Sequence, residues 1–278
     1  MGVVLGLLAA LTYGCSDFVA GAGARRSDAI AVTGVAQPLG LLAAAVGVVI
    51  LRKGSPTASV LEWGAISGVG SGLGTAALYW GLSVGAMNIV SPLAAVISAI
   101  VPALVGVALG ERLSLPAVAG IVLAVPALTM VSLASGQQHG THRSKAPIAA
   151  GLAAGGGFAL LFIGLDRAGT AASAWPLVPG QAVAILIVAS FVAKRRPPRS
   201  TWRTSLRWGT AAGSLSGIAN LLYLAATGQA QLAVVAVLTA LYPAVTVALA
   251  AGFLHERMSR LQAIGLLIAA VSVTLISI

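Results

Sequence analysis

The sequence of 278 residues has few charged side chains and almost no cysteine. Charged residues make up 8% of the chain, whereas a soluble domain carries about a quarter, so this chain could not solvate a globule of its size. The single cysteine, Cys15, excludes an intramolecular disulfide and any cysteine-based metal cluster. Hydrophobic residues reach 58%, and the mean hydropathy is +1.00. These values indicate a polytopic membrane protein.

Acidic residues are scarce, with 6 Asp and Glu against 16 Lys and Arg and a net charge of +10. In a soluble chain this balance would suggest a nucleic-acid partner. Here nearly all the basic residues lie between long apolar runs, where they contact lipid headgroups and orient the chain. We therefore expect membrane lipid as a partner and no nucleic acid.

Ten apolar runs are long enough to cross a bilayer. About 20 residues span the ~30 Å hydrocarbon core as a helix, and helix is expected because backbone groups in lipid must be bonded within their own segment. The predicted fold is therefore an all-α membrane protein with ten transmembrane helices. The predicted spans are Val3–Ala22, Ala29–Leu51, Gly64–Ala86, Ile89–Gly110, Leu115–Ser135, Pro147–Leu165, Ala171–Ala193, Trp208–Gly228, Gln231–Leu254 and Leu261–Ile278.

The chain repeats itself at an offset of 145 residues. Glu111-Arg112-Leu113-Ser114 recurs as Glu256-Arg257-Met258-Ser259, and the glycine ladder at 64, 68 and 72 recurs at 209, 213 and 217. This register predicts a first five-helix repeat at residues 1–137, a hydrophilic linker at 138–146 and a second repeat at 147–278. Because five is odd, the second repeat should enter the membrane with the opposite orientation, as in many secondary transporters.

At this point the sequence resembles a known family. Ten spans in two halves, each with a Glu-Arg-x-Ser turn after its fourth helix, resemble the EamA-type carriers of the drug/metabolite transporter superfamily. The segment Tyr13-Gly14-x-Ser16-x-Phe18 in span 1 adds to the resemblance. The resemblance implies that spans 1, 3, 4, 6, 8 and 9 line a central cavity and that spans 5 and 10 lie at the periphery.

The resemblance also implies a function. We expect a secondary transporter that moves small metabolites, such as amino acids or related polar and amphipathic solutes, by alternating access between the two repeats. It implies export across a bacterial cell membrane by a monomer. A membrane channel or a non-transporting membrane scaffold remains the alternative.

Polar stripes on spans 3 and 8 are candidate substrate-binding groups. They comprise Ser71, Thr75 and Tyr79 on span 3, and Ser216, Asn220 and Tyr223 on span 8. Spacings of three and four residues place each set on one helix face. Hydrogen bonding between helices is the alternative role. Spans 4 and 9 add the weaker candidates Ser91, Ser98, Thr239 and Tyr242.

Asp17 is the only acidic residue well inside an apolar run. A charge at that depth costs at least ~2.5–3.5 kcal/mol on insertion scales, so it suggests a functional role. Asp17 is a candidate partner for a substrate amine and a candidate proton-coupling group. Alternatively, it reaches the membrane interface near Arg25 and Arg26.

Enzyme signatures are weak. The segment Gly81-Leu82-Ser83-Val84-Gly85 matches the GxSxG nucleophile pattern, which requires a strand-to-helix turn and a histidine base. Here it lies in a predicted helical span, and His139, His142 and His255 lie in predicted loops. No acidic or cysteine ligand completes a metal site around these histidines. We expect no enzymatic activity, no metal and no cofactor.

Loop charge predicts the orientation of the chain, although the family resemblance implies the opposite one. Loops after odd-numbered spans carry twelve Lys and Arg residues, and loops after even-numbered spans carry four. The positive-inside rule therefore places the odd loops in the cytoplasm and both termini outside, whereas relatives are usually drawn with both termini inside.

If the charge count is right, a cysteine introduced as Arg199→Cys should resist an impermeant thiol reagent applied to intact cells. Labelling should follow once the cells are permeabilised. Ready labelling in intact cells would instead support the orientation that the resemblance implies.

Overall fold

The computed structural model describes residues 1–51, 54–83, 87–133, 146–253 and 258–278, and the side chains in these ranges except at 79, 81–83, 87–89 and 133. Within them the chain forms α-helices and one 3₁₀ turn at Arg199–Thr201, so the all-α prediction is confirmed. The helices are α1 (Gly2–Arg26), α2 (Ala29–Leu51), α3 (Ala58–Ser83), α4 (Met87–Ala108), α5 (Leu115–Leu133), α6 (Ala146–Ala168), α7 (Leu177–Arg195), α8 (Trp202–Thr227), α9 (Leu232–Ala240), α10 (Tyr242–Phe253) and α11 (Arg260–Ser277).

Eight stretches of the described chain are long and apolar enough to cross a membrane. They are α1, α2, α6, α7, α11, most of α4 and of α5, and α9 with α10 taken together. The helices α3 and α8 are not among them, although each has 26 residues, more than the ~20 that a span needs. They are less apolar because they carry the glycine ladders and the polar stripes.

Three predicted boundaries were wrong at the N-terminal side of their helices. Span 7 does not begin at Ala171, because residues 171–176 form turns and α7 starts only at Leu177. Gly169 and Ser173 take positive φ values of 69° and 51°, which interrupt a right-handed helix. Conversely, α3 and α8 extend beyond their apolar runs, because helix length is not limited by hydropathy alone.

The ninth predicted span is broken into α9 and α10 at Leu241. Pro243 has no N–H to donate to the carbonyl of Thr239, so the regular bonding of the helix cannot continue through it. The chain tightens there: Leu241 N donates to Leu238 O at 3.3 Å, and Ala244 N donates to Leu241 O at 3.0 Å. The break places Tyr242 at the start of a new helix.

The two glycine ladders lie at close helix contacts. A Cβ at Gly68 would collide with the backbone carbonyl of Gly180 in α7, and one at Gly213 would collide with that of Ala36 in α2. Glycines allow backbones to approach this closely, and the resulting van der Waals contact stabilises helix pairs in a membrane, where the hydrophobic effect does not drive packing. The helix α3 is therefore held against α7, and α8 against α2.

Helix contacts connect the two halves of the chain extensively. Contacts made by one half have equivalents in the other half. The contacts of α1 and of α2 with α8 correspond to those of α6 and of α7 with α3. The contact of α4 with α6 corresponds to that of α9 and α10 with α1. The pairs α5 with α11, α4 with α9, and α2 with α7 complete the bundle. No half forms a separate body, and the space between the halves is shared by both.

The bundle has two ends with different charge. At the end that holds Met1, Gly2 contacts Gln229 and Ala230, and Glu111 contacts the start of α9; we call this the terminal end. At the opposite end, Ser27 bonds to Thr201 and Arg26 lies over the Trp208 ring. This arginine end also carries the basic residues from Lys194 to Arg207.

Candidate functional site

A polar cavity of about 140 Å³ lies between the two halves. We call it the central chamber. Its walls come from α1, α2, α3, α6, α7, α8 and α10, and they include six of the nine predicted substrate-binding residues. Those six are Asp17, Ser71, Thr75, Ser216, Asn220 and Tyr242. Two residues of each sequence stripe, on spans 3 and 8, therefore face one shared space.

Two larger cavities lie between the central chamber and the arginine end. The wide vestibule, of about 560 Å³, is lined by α2, α3 and α7, includes Lys194 and Arg195, and shares Thr75 with the chamber. The narrow vestibule, of about 300 Å³, includes Arg25 and shares Asp17 and Tyr242 with the chamber. Both vestibules therefore border the chamber on the side of the arginine end.

Asp17 lies where the narrow vestibule meets the central chamber. Its side chain is exposed to this space rather than packed in the core. Tyr13, one helical turn earlier, lines the same chamber, and its ring lies 6.2 Å from that of Tyr242, centroid to centroid. Asp17 thus lies among aromatic rings on the wall of a cavity. It is about two helical turns from Arg25 and Arg26, which lie at the end of α1.

A hydrogen-bonded chain fixes one wall of the chamber. The hydroxyl of Tyr13 donates to Asn220 Oδ1 at 2.8 Å, and Asn220 Nδ2 donates to the carbonyl of Ser216 at 3.0 Å. Ser16 also bonds across this contact, donating to the carbonyl of Ala212 at 2.8 Å. Asn220 thus positions Tyr13 and keeps one N–H and one oxygen lone pair for a solute.

The floor of the chamber is aromatic and apolar. Phe162 lines the chamber and stacks on Tyr223 with ring centroids 4.6 Å apart. Tyr223 is fully buried beneath it, and its hydroxyl donates to the carbonyl of Phe162 at 3.2 Å. The cluster continues through Leu165, Leu232 and Val235. Tyr223 therefore supports the floor and does not face the chamber, contrary to its predicted binding role.

The terminal end is closed by the acid of the first Glu-Arg-x-Ser turn. Glu111 Oε1 accepts from Leu232 N at 2.6 Å, and Oε2 accepts from Ala233 N at 3.0 Å. A carboxylate at a helix N-terminus satisfies free N–H groups and complements the helix dipole. Gln231 Nε2 adds a bond to the carbonyl of Arg112 at 3.0 Å. Glu111 thus fastens the start of α9 to the α4–α5 turn.

Several other sequence candidates lie elsewhere. Thr239 is completely buried in α9, with its hydroxyl unpartnered among the described residues, so its placement in the cavity was wrong. Ser98 is buried and donates to the carbonyl of Ala95, whereas Ser91 lines the narrow vestibule. Other predicted features lie outside the described residues. They are the side chain of Tyr79, His139, His142, His255, Glu256, most of the 138–146 linker and the end of the GxSxG pattern.

The chamber also contains residues that sequence reasoning missed. Gln37 of α2 and Gln181 of α7 line it, so these helices contribute where span 4 was expected to. Gln181 is 8% exposed, and its Oε1 accepts no hydrogen bond from the described residues. A signal was present: each amide is isolated in an apolar run, where polar groups are costly and usually functional.

The comparisons with known proteins bear on the fold and the family. The sequence model of the EamA-like transporter family matches residues 145–278, which is the second half of the chain and agrees with the resemblance. No curated protein matches the sequence. A crystal structure of a protein with 14% identity covers 100% of this chain and 98% of its own, with a TM-score of 0.74. At that identity the likeness shows the fold alone.

Because Tyr223 supports the chamber floor from below, Tyr223→Phe should weaken folding without altering solute affinity. Loss of its bond to Phe162 should lower the free energy of unfolding by about 1 kcal/mol, measured as a lower melting temperature in detergent. Tyr13→Phe is the matched control, since that hydroxyl lies at the chamber wall and its loss should raise KM for a transported solute. A raised KM in Tyr223→Phe at unchanged melting temperature would return Tyr223 to the binding residues.

Proposed function

Because the model of the EamA-like transporter family matches residues 145–278, we propose that the chain is a secondary carrier that moves small polar or amphipathic metabolites through the central chamber. The observation that carries the proposal is the asymmetry of access. Two vestibules share wall residues with the chamber on the side of the arginine end. The pocket found at the terminal end, of about 240 Å³, shares no wall residue with the chamber.

The carrier is built from two inverted five-helix repeats around the chamber. The internal offset of 145 residues supports this arrangement, because it relates wall residues to one another: Tyr13 to Phe158, Ser71 to Ser216, and Thr75 to Asn220. The exchange of helix partners between the halves supports it as well. Two repeats with opposite orientation provide two alternative states, one open at each end.

In the transport cycle, the terminal end, which is closed in the state described here, must open. Opening requires the start of α9 to separate from the α4–α5 turn, so the bonds from Leu232 and Ala233 to Glu111 must break. The break at Leu241 allows α9 to move with respect to α10, because no continuous helix joins them. Solute bound in the chamber would then be released at the terminal end.

The orientation follows from charge. The positive-inside rule places the arginine end in the cytoplasm, so the state described here would face the cytoplasm. Export is the direction that the family resemblance implies. The protein would lie in the cell membrane of a bacterium and act on small polar or amphipathic metabolites. The lining of the chamber comes from both halves of one chain, and we propose that the protein functions as a monomer.

A channel is the alternative that this geometry disfavours. Conduction requires a continuous polar or charged path. Below the chamber the described residues are a packed apolar cluster that includes Leu165, Leu232 and Val235, all nearly inaccessible to solvent. A carrier needs such a barrier on one side of its bound solute at every stage.

We predict that the purified protein in liposomes transports labelled amine-bearing solutes with saturation and counterflow. Asp17→Asn should lower that transport more than about tenfold, equivalent to ~1.4 kcal/mol, and should remove any acceleration by a pH gradient. The physical reason is that Asp17 is the acid on the chamber wall, where it can pair with an ammonium group or exchange a proton.

The matched control is Glu62→Gln, which neutralises an exposed carboxylate in the first turns of α3, away from the chamber. It should transport normally. Linear, non-saturating flux without counterflow would contradict the carrier and support the channel. Normal transport and an unchanged pH profile in Asp17→Asn would make Asp17 an interfacial acid with no role in coupling.

A further inference from the structure

The central chamber has unequal walls on the two halves. At matching positions, α1 presents Tyr13, Ser16 and Asp17, whereas α6 presents Phe158, Leu161 and Phe162. One wall is therefore polar and carries a carboxylate, and the facing wall is aromatic and apolar. Two repeats that share an ancestry in the sequence have diverged at the positions that touch the enclosed space.

Formal charge in the chamber has one sign. Among the described residues that line it, Asp17 is the only charged side chain, and the rest are hydroxyls, amides, aromatics and leucines. A solute carboxylate would enter without a cationic partner, which is unfavourable in a low-dielectric space. An ammonium group would meet the carboxylate in a space also lined by the aromatic rings of Tyr13 and Tyr242, and aromatic rings attract cations placed over their faces.

Gln181 adds a second requirement on the wall formed by α7. Its amide packs against Gly40 of α2, where a Cβ would lie 2.7 Å from Oε1. That oxygen is buried and receives no donor from the described residues. A buried acceptor without a donor is destabilising, so a solute that brings an N–H group relieves a deficiency already present in the empty chamber.

We propose that the chamber selects small amphipathic organic cations: a primary ammonium at Asp17, an apolar body against Phe158 and Phe162, and a further N–H donor for Gln181. The inference rests on the proposed function, because it assigns the substrate class of the same chamber. The volume of about 140 Å³ limits the solute to a small one, since pockets for drug-sized ligands hold roughly 300–1,000 Å³. Free amino acids are disfavoured because they carry a carboxylate.

Four solutes of one carbon skeleton test this class. They are valinamide, a cation with an amide donor; valine methyl ester, a cation without that donor; valine, a zwitterion; and the corresponding neutral α-hydroxyamide. Binding is measured by thermal stabilisation of the purified protein, and transport is measured by counterflow in liposomes. Valinamide should bind at least about tenfold more tightly than valine or the hydroxyamide.

Two variants assign the contacts. Asp17→Asn should remove the preference for valinamide over the hydroxyamide. Gln181→Met, which keeps the length of the side chain without its amide, should remove the preference for valinamide over the ester. If Gln181→Met does not fold, the amide-to-ester ratio in Gln181→Asn provides the same test, because the shorter side chain should reduce that ratio.

The outcomes separate the two proposals. Equal binding of valine, hydroxyamide and valinamide, or binding of none of them, would overturn the inferred substrate class even if other solutes show counterflow. Cation-selective binding without counterflow of any solute would instead support the chamber chemistry and overturn the carrier. Loss of selectivity in Glu62→Gln as well as in Asp17→Asn would also contradict the assignment to Asp17.

Discussion

The close approach of helix backbones is the constraint on which the central chamber depends. In a membrane, the attraction between helices comes from packing and hydrogen bonding rather than from expulsion of water. The ladders of α3 and α8 bring these helices into backbone contact with α7 and α2. That contact fixes the rotation of α3 and α8 about their axes. Their polar stripes, which include Ser71, Thr75, Ser216 and Asn220, consequently point into the same space.

Closure at one end depends on a second kind of interaction, between a carboxylate and a helix N-terminus. Glu111 supplies acceptors for two N–H groups of α9 that have no partner within the helix. The arrangement joins α9 to the α4–α5 turn through a few hydrogen bonds, which water can replace if the end opens. The apolar floor formed by Phe162 and Tyr223 separates it from the chamber. The apolar barrier below the chamber and the hydrogen bonds of Glu111 at the terminal end are thus separate parts of the bundle.

Helical spacing was enough to predict that Ser71 and Thr75 share one helix face and that Ser216 and Asn220 share another, and these four residues line the chamber. Tyr223, which the same spacing placed in the second stripe, is buried beneath Phe162 instead. Thr239 could not be placed in the same way, because every residue of α9 is buried and the helix is apolar on all sides. Gln37 and Gln181 belong to no stripe, so periodicity did not indicate them. The bond from Glu111 to Leu232 joins residues 121 positions apart, and no local pattern contains that information. The sequence did predict the Glu-Arg-x-Ser segment as a structural turn; its partner came only from the fold.

The central claim is that the terminal end opens and closes while the chamber stays between the two halves. Spin labels at Leu115→Cys and Gln229→Cys, two exposed positions at the terminal end, in a Cys15→Ser background, report this directly through their distance distribution by electron paramagnetic resonance. The account predicts one short distance in the solute-free protein and a second, longer population during turnover with a transported solute. A single unchanged distance in protein that is actively transporting would contradict alternating access at this end.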